Sequence, residues 1–211
     1  MSRHYVMTLP LYCIKAKYAM KNKASLILTT ALVLPLLMWI TPGSQTLKSF
    51  KMSVSGTSTL HNWESGVNKV SVKSDITINE AGLQAINSMS VEVDATSIKS
   101  TKGAMMDKKT WEALKTTQFP KITYQLTRIE SITPNGAEYD IKALGNLTIA
   151  GVKLPIDMNV KGKLLNGGNL SFKGDKKLKM SDFKMEAPTA LMGTIKTGNE
   201  ITVHFDIVLG E

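Results

Sequence analysis

The chain has 211 residues, enough for one large domain or two small ones, and a formal net charge of +9. Residues 1–43 hold five of the basic residues and no acid, so the remainder has a charge of +4, and its lysines are not clustered with aromatic residues. This distribution argues against nucleic-acid binding. Cys13 is the single cysteine, so residues 44–211 contain no disulfide, thiolate metal site or cysteine nucleophile.

The N-terminal segment has the order of a secretory signal: basic residues, an apolar run over residues 24–40, and then Thr41-Pro42-Gly43-Ser44. We therefore predict an extension and signal peptide over residues 1–43, cleavage after Gly43, and export to the periplasm. Because the apolar run approaches the length of a membrane span, about 20 residues, an uncleaved membrane anchor is the alternative. Met20 is an alternative start.

The exported part begins with short β-rich segments, and no linker long enough to divide two domains separates them. A second segment over residues 67–78 has an irregularity at Asn68-Lys69, which indicates a β-bulge. Residues 79–88 predict a short turn or helix, and a third strand begins at Met89. The first segment alternates at Phe50, Met52 and Val54.

The clearest helical pattern covers residues 105–117, where the apolar residues fit an amphipathic helix better than a strand. It ends before Pro120, because the residue that precedes a proline disfavours the helical conformation. Another strand opens at Ile122 and continues through Tyr124 and Leu126.

The strongest pattern is a period of two over residues 138–165, on both sides of Ala150-Gly151. It predicts a long antiparallel hairpin with one apolar face, and Leu144 is the one exception. Asn166-Gly167-Gly168 predicts the next turn. The last segment, residues 201–209, alternates again.

About eight strands and one short helix indicate an all-β protein with a single domain over residues 44–211. We predict a closed antiparallel barrel, because closure removes the sheet edges that invite aggregation. The same alternation fits a β-sandwich, so the pattern leaves these two architectures open.

Four stretches follow one another in the order of a known family: SGTSTLHNW, MDKKTWEALKTTQFPKITY, GNLTIAGVKLPI and KMSDFKMEAPTALMGTIKTGNEITVHFDI. Together they resemble the YceI-like family of exported, lipocalin-like proteins, over about residues 50–209. The resemblance implies a lipocalin-like barrel whose apolar interior holds an isoprenoid chain, such as a polyprenyl phosphate or a quinone tail. Many members carry Arg-Asp at the start of the helix, where this chain has Met106-Asp107, which leaves the head-group preference open.

We therefore predict a non-catalytic protein that binds an apolar, chain-like lipid and needs no other cofactor. Burial of each methylene contributes about 0.8 kcal/mol, so an apolar sleeve suffices for such a ligand. The alternative is a barrel filled by its own side chains, a structural or interaction protein of the cell envelope. The candidate lining residues are Phe50, Met52, Val54, Tyr124, Leu126, Ile141, Leu147, Ile156, Met158, Val203 and Phe205.

Two further candidates, His61 and Trp63, lie in the first motif. The imidazole could donate a hydrogen bond to a phosphate or a quinone carbonyl. In the alternative interpretation, which we favour, His61 and Ser58 hold one end of the barrel together and Trp63 plugs the core. Residues 188–193 are expected to cover the mouth of the barrel.

No motif of a hydrolase, metalloprotease or phosphate-binding loop occurs in the sequence, which argues against an enzyme. His204 and Asp206 lie on the same side of the last strand and predict a surface pair rather than a metal site. The sequence leaves peripheral membrane contact and a homodimer open.

Overall fold

The computed structural model describes residues 42–190 and 192–210. The predicted signal lies outside these residues, except that Pro42 and Gly43 already belong to the first strand. The elements, in chain order, are β1 (Pro42–Ser58), β2 (Trp63–Val67), β3 (Val70–Asn79), β4 (Gly82–Asp94), β5 (Ile98–Ser100), α1 (Ala104–Ala113), β6 (Lys121–Asn135), β7 (Glu138–Ile149), β8 (Val152–Leu164), β9 (Leu170–Lys179), β10 (Thr189–Ala190) and β11 (Ile195–Gly210). Short 3-10 helices lie at Ala95–Ser97, Asn166–Gly168 and Met180–Phe183.

Eight of the strands close into an antiparallel barrel. The ladder runs from β1 through β11, β9, β8, β7, β6, β4 and β3 and returns to β1. Closure is possible because these strands carry apolar side chains at alternate positions, so one face of the sheet can turn inward along its whole width. The predicted barrel with one short helix is therefore confirmed, and the sandwich alternative is wrong.

The predicted hairpin is β7 and β8, which pair in continuous register from Glu138 and Lys163 to Ile149 and Val152. The two turn residues have positive φ, 48° at Ala150 and 80° at Gly151. Positive φ at both central positions is the geometry that two-residue hairpins favour, because its twist matches that of the strands.

The irregularity at Asn68-Lys69 is a break between two strands, so the predicted bulge is wrong. β1 is 17 residues long and has two neighbours on one side. Its first residues, Pro42–Gln45, pair with β3, whereas Ser53–Gly56 pair with β2. β2 in turn pairs with β5. At Asn68-Lys69 the chain therefore passes from the β1–β2–β5 pairing to the β1–β3 pairing.

The third barrel strand, β4, begins at Gly82 rather than at Met89. The Asn79 side chain accepts a hydrogen bond from the Ala81 amide (2.9 Å), and Gly82 has a φ of 107°. An asparagine that bonds the backbone two residues later stabilises a tight turn, and only glycine adopts such a φ readily. The turn is therefore short, and the helix considered for residues 79–88 is wrong.

The predicted helix is confirmed as α1, although it ends at Ala113, four residues before the expected Thr117. Lys115 has a φ of 54°, in the left-handed region that ends helices. The amides of Gln118 and Phe119 then donate to the Lys115 carbonyl, both at 2.9 Å, and complete a turn that leads into β6.

Two apolar clusters divide the interior. We call the end of the barrel where β1 begins the Pro42 end, and the end that carries α1 the α1 end. The cluster toward the Pro42 end consists of Ile76, Leu83, Ile86, Ile141, Leu170, Phe172, Ile207 and Leu209. The cluster toward the α1 end consists of Val67, Val93, Ala95, Ile98, Leu114, Ile149, Ala150, Leu178, Met180, Phe183, Met185 and Ile201.

Candidate functional site

A cavity of about 450 Å³ occupies the barrel between the clusters and opens at the α1 end. Its volume lies within the range of about 300–1,000 Å³ that small-molecule sites have. The wall is almost entirely apolar. At its inner limit it meets the Pro42-end cluster through Ile86, Ile141, Phe172, Ile207 and Leu209.

The cavity wall contains twelve of the thirteen residues expected to line it: Met52, Val54, His61, Trp63, Tyr124, Leu126, Ile141, Leu147, Ile156, Met158, Val203 and Phe205. Phe50 does not border the cavity and packs instead against the Pro42-end cluster. It shares the inward face of β1 with Met52 and Val54 and lies opposite Ile207, but its side chain packs into the Pro42-end cluster rather than along the cavity.

Three segments border the opening: the loop 59–62, the start of α1, and the hairpin of β10 and β11. His61, Lys102, Met106 and Thr189 reach the cavity from them. The Thr59 amide donates to the Lys196 carbonyl (3.0 Å), which ties the loop to the hairpin. Pro188 and Thr189, from the segment expected to cover the mouth, therefore border the cavity there.

The loop 59–62 is held by Ser58 and by the backbone of His61. The Ser58 hydroxyl donates to the His61 carbonyl (2.7 Å) and accepts from the His61 amide (3.2 Å). The Trp63 indole donates to the Thr57 carbonyl (3.0 Å), and its ring covers Gly56, where a Cβ would overlap it. The backbone of His61, not its side chain, makes the hydrogen bonds with Ser58 that hold the loop. The imidazole of His61 is exposed at the opening.

Asp107 fixes the start of α1 rather than facing the cavity. Its buried carboxylate accepts from the Ser100 amide (2.6 Å) and lies 3.5 Å from the Lys99 ammonium. Lys99 in turn lies over the ring of Trp111, 4.2 Å from its centroid, and the Trp111 indole donates to the Ile98 carbonyl (3.1 Å). The preceding residue, Met106, thereby faces the cavity.

Several lining residues lie outside the strands and were not predicted. Met106, Thr110 and Ala113 of α1 face the cavity at positions i, i+4 and i+7. That spacing was visible in the sequence and could have identified them. Met180, in a 3-10 helix, and Met185, just after it, lie in short segments that carry no such signal.

The polar groups of the wall are few and lie mainly near the opening. Lys102 and Lys109 border the cavity there, and Lys109 lies 3.8 Å from Glu112 in an exposed ion pair. A third lysine of the wall, Lys176, pairs with Asp157 (2.9 Å). Burial raises the pKa of the Tyr124 hydroxyl above its usual value.

His204 pairs with Asp175, not with the predicted Asp206. Its Nδ1 contacts the Asp175 carboxylate, and its Nε2 lies 2.8 Å from the Ser55 hydroxyl. His204 and Asp175 are directly opposite in register, and such cross-strand neighbours are closer than residues i and i+2 of one strand. Asp206 instead accepts from the Ser171 hydroxyl (3.4 Å).

Within residues 42–190 and 192–210, no three His, Cys, Asp or Glu side chains are grouped so as to hold a metal ion. None of the helices in that part of the chain has the length and apolar character that a membrane span requires.

The model of the YceI-like domain family matches residues 43–209, so this chain belongs to that family. No curated protein matches the sequence.

Solved structures share the fold. BcnA of Burkholderia cenocepacia is 20% identical, with a TM-score of 0.59 over 75% of this chain and 95% of that one. A polyisoprenoid binding domain from Saccharophagus degradans, implicated in plant cell wall breakdown, is 10% identical, with a TM-score of 0.57 over 81% and 99%. The YCEI protein of Campylobacter jejuni is 20% identical, with a TM-score of 0.53 over 70% and 84%. At these identities the likeness establishes the barrel.

Asp107→Ala should lower the free energy of unfolding by about 1–3 kcal/mol, because it leaves the Ser100 amide without its acceptor. Urea denaturation measures this change, and hydrogen exchange should show faster opening of α1. Glu112→Ala, on the exposed side of the same helix, should change stability by less than about 0.5 kcal/mol. Equal effects of the two substitutions would show that Asp107 does not anchor the helix.

The raised pKa of Tyr124 predicts a loss of stability at high pH. The folded protein holds the phenol proton more tightly than the unfolded chain, so unfolding becomes more favourable as pH rises above about 10, whereas below that pH both states keep the proton and Tyr124 adds no pH dependence. Tyr124→Phe should reduce this alkaline loss, as followed by denaturation midpoints between neutral and alkaline pH. An unchanged pH profile in the variant would contradict the assignment.

Proposed function

We propose that this protein shelters an isoprenoid chain in the barrel cavity and performs no reaction on it. The observation that carries this proposal is the apolar cavity of about 450 Å³ that opens beside α1. The Saccharophagus degradans domain, which has the same fold, is described as polyisoprenoid binding and supports this class of ligand.

The energetics favour a chain-like ligand. Each buried methylene contributes about 0.8 kcal/mol, so a chain of roughly twenty carbons could gain more than about 10 kcal/mol before ordering costs. Specific orientation of the chain needs few polar groups, and the wall provides few. A barrel filled by its own side chains would instead be packed with few voids larger than a water molecule. The cavity therefore favours lipid binding over the filled-barrel alternative.

The opening supports an anionic head group, such as a phosphate. Lys102 and Lys109 lie beside the cavity there, together with the exposed imidazole of His61. An ammonium group binds phosphate as a point charge and does not need the geometry of a guanidinium. Many family members have an arginine at the position of Met106. Lys102 and Lys109 can supply positive charge in its place, so we favour a polyprenyl phosphate over a quinone.

We place this activity in the periplasm. The support is the order of basic residues, apolar run and small residues over residues 1–43. An exported barrel would there protect an apolar chain from water between two sites of use.

Protein purified from its host should carry an extractable isoprenoid lipid, detected by mass spectrometry after denaturation. Leu147→Asp should remove at least about nine tenths of this lipid, because it places a carboxylate on the apolar wall. Thr148→Asp is the matched control, since its side chain lies on the opposite face of β7, and it should keep the lipid. Circular dichroism establishes that both variants are folded. A folded wild-type protein without lipid, which also fails to take up added isoprenoid, would contradict the proposal.

The head-group proposal is tested with Lys102→Gln combined with Lys109→Gln. We expect binding of a polyprenyl phosphate to weaken about tenfold or more, since two nearby charges are lost. Binding of a quinone with a tail of equal length should change less than about threefold. Lys142→Gln with Lys163→Gln, on outward strand positions, controls for net charge. Equal losses for both ligands would argue against an anionic head group.

A further inference from the structure

Each of the three segments around the opening carries one exposed, large apolar side chain. Leu60 in the loop 59–62 is 66% exposed, Met105 at the start of α1 is 78% exposed, and Met192 in the hairpin of β10 and β11 is fully exposed. The other large apolar side chains that the described residues expose, Phe119 and Leu164, reach 37%. The strongest apolar exposure therefore surrounds the opening.

The same segments are basic. Residues 57–63, 100–110 and 188–197 contain four lysines, and their one acid is Asp107. The Asp107 carboxylate is buried and held by Ser100 and Lys99, so it does not contribute an exposed negative group. Lys102, Lys108 and Lys196 are exposed. An incoming surface would thus meet apolar side chains among positive charges.

Hydrogen bonds and an ion pair hold these segments in place. The Thr59 amide donates to the Lys196 carbonyl (3.0 Å), and the Lys196 amide donates to the Thr59 hydroxyl (3.2 Å). The Asp107 contacts fix the start of α1 in the same way. The apolar side chains project from supported segments, which lowers the ordering cost of binding.

We propose that this rim, defined as Leu60, Met105, Met192, Lys108 and Lys196, docks on a lipid bilayer that carries anionic head groups. Exposed apolar side chains insert at the boundary between head groups and acyl chains, while lysines are attracted to the negative surface potential. Each lysine near such a surface strengthens binding about fivefold. The pattern of apolar and basic groups matches this surface on both counts.

A second copy of the chain is a poorer partner. In a two-fold symmetric dimer through the rim, the same patch of each copy meets the other, so two basic patches would be brought together. A bilayer presents the opposite charge instead. The proposal goes beyond lipid binding, because a barrel without a bound lipid would dock equally well. Docking through the rim would turn the opening of the cavity toward the bilayer.

The test uses the full chain with Cys13→Ser and a polarity-sensitive fluorophore attached after Met192→Cys. Vesicles of phosphatidylcholine with phosphatidylglycerol should shift its emission to shorter wavelength, and phosphatidylcholine vesicles should shift it much less. A label attached after Leu164→Cys, at the Pro42 end, is the matched control and should not shift. Comparison of two positions in one chain separates docking of the rim from any membrane association of the N-terminal segment.

Lys108→Glu with Lys196→Glu should weaken the affinity for the anionic vesicles at least about tenfold. Lys142→Glu with Lys163→Glu, the same change of charge at outward positions of β7 and β8, should weaken it less than about threefold. Neither Lys108 nor Lys196 borders the cavity. Lipid retention should therefore be unchanged in the rim variant.

Three results would overturn the proposal: no shift at either label, an equal shift at both, or a shift at the rim that depends on protein concentration without vesicles. The last would indicate a second copy. Because the vesicles contain no isoprenoid lipid, failure of docking is distinguishable from failure of lipid binding, which the mass spectrometric extraction measures separately.

Discussion

The burial of one apolar face of eight strands is the constraint on which this molecule depends. Closure satisfies it, but an eight-stranded barrel is only just wide enough for its side chains to fill it. At the Pro42 end the side chains of Leu170, Phe172 and Leu209 do so. At the α1 end β2 replaces β3 beside β1. α1 and the 3-10 helix Met180–Phe183 cover part of that end, and the rest remains an apolar cavity.

The period of two made the barrel strands predictable, β7 and β8 above all, because alternation reports directly which face is buried. It does not report what each inward side chain contacts. Phe50 shares a face with Met52, yet its side chain packs into the Pro42-end cluster, so its alternation was right and its expected contact with the cavity was not. Changes of neighbour are equally hidden, since Asn68-Lys69 reads locally as an irregularity whether the strand bulges or ends.

The opening was harder to predict than the wall. Lys102 and Lys109 lie at the cavity because α1 folds across the barrel end, a tertiary event that no strand pattern encodes. The partner of His204 follows from the register of β9 against β11, which the sequence of either strand alone does not specify. The roles of Met106 and Asp107 were also not predicted. The Asp107 carboxylate anchors the start of α1, and Met106 contributes to the cavity wall.

The pairing of β1 with β11 has a consequence for how the protein forms. Thr46 lies opposite Gly210 and Ser58 opposite Thr197, so the barrel closes through contacts between the most distant parts of the described chain. Contacts of such high sequence separation make folding slow, because the entropy of loop closure precedes the gain from pairing. Until β11 docks, the interior is an open sheet with two unpaired edges and an exposed apolar face. The vulnerable stage in the life of this protein is thus the interval before its last strand arrives, when aggregation competes with closure.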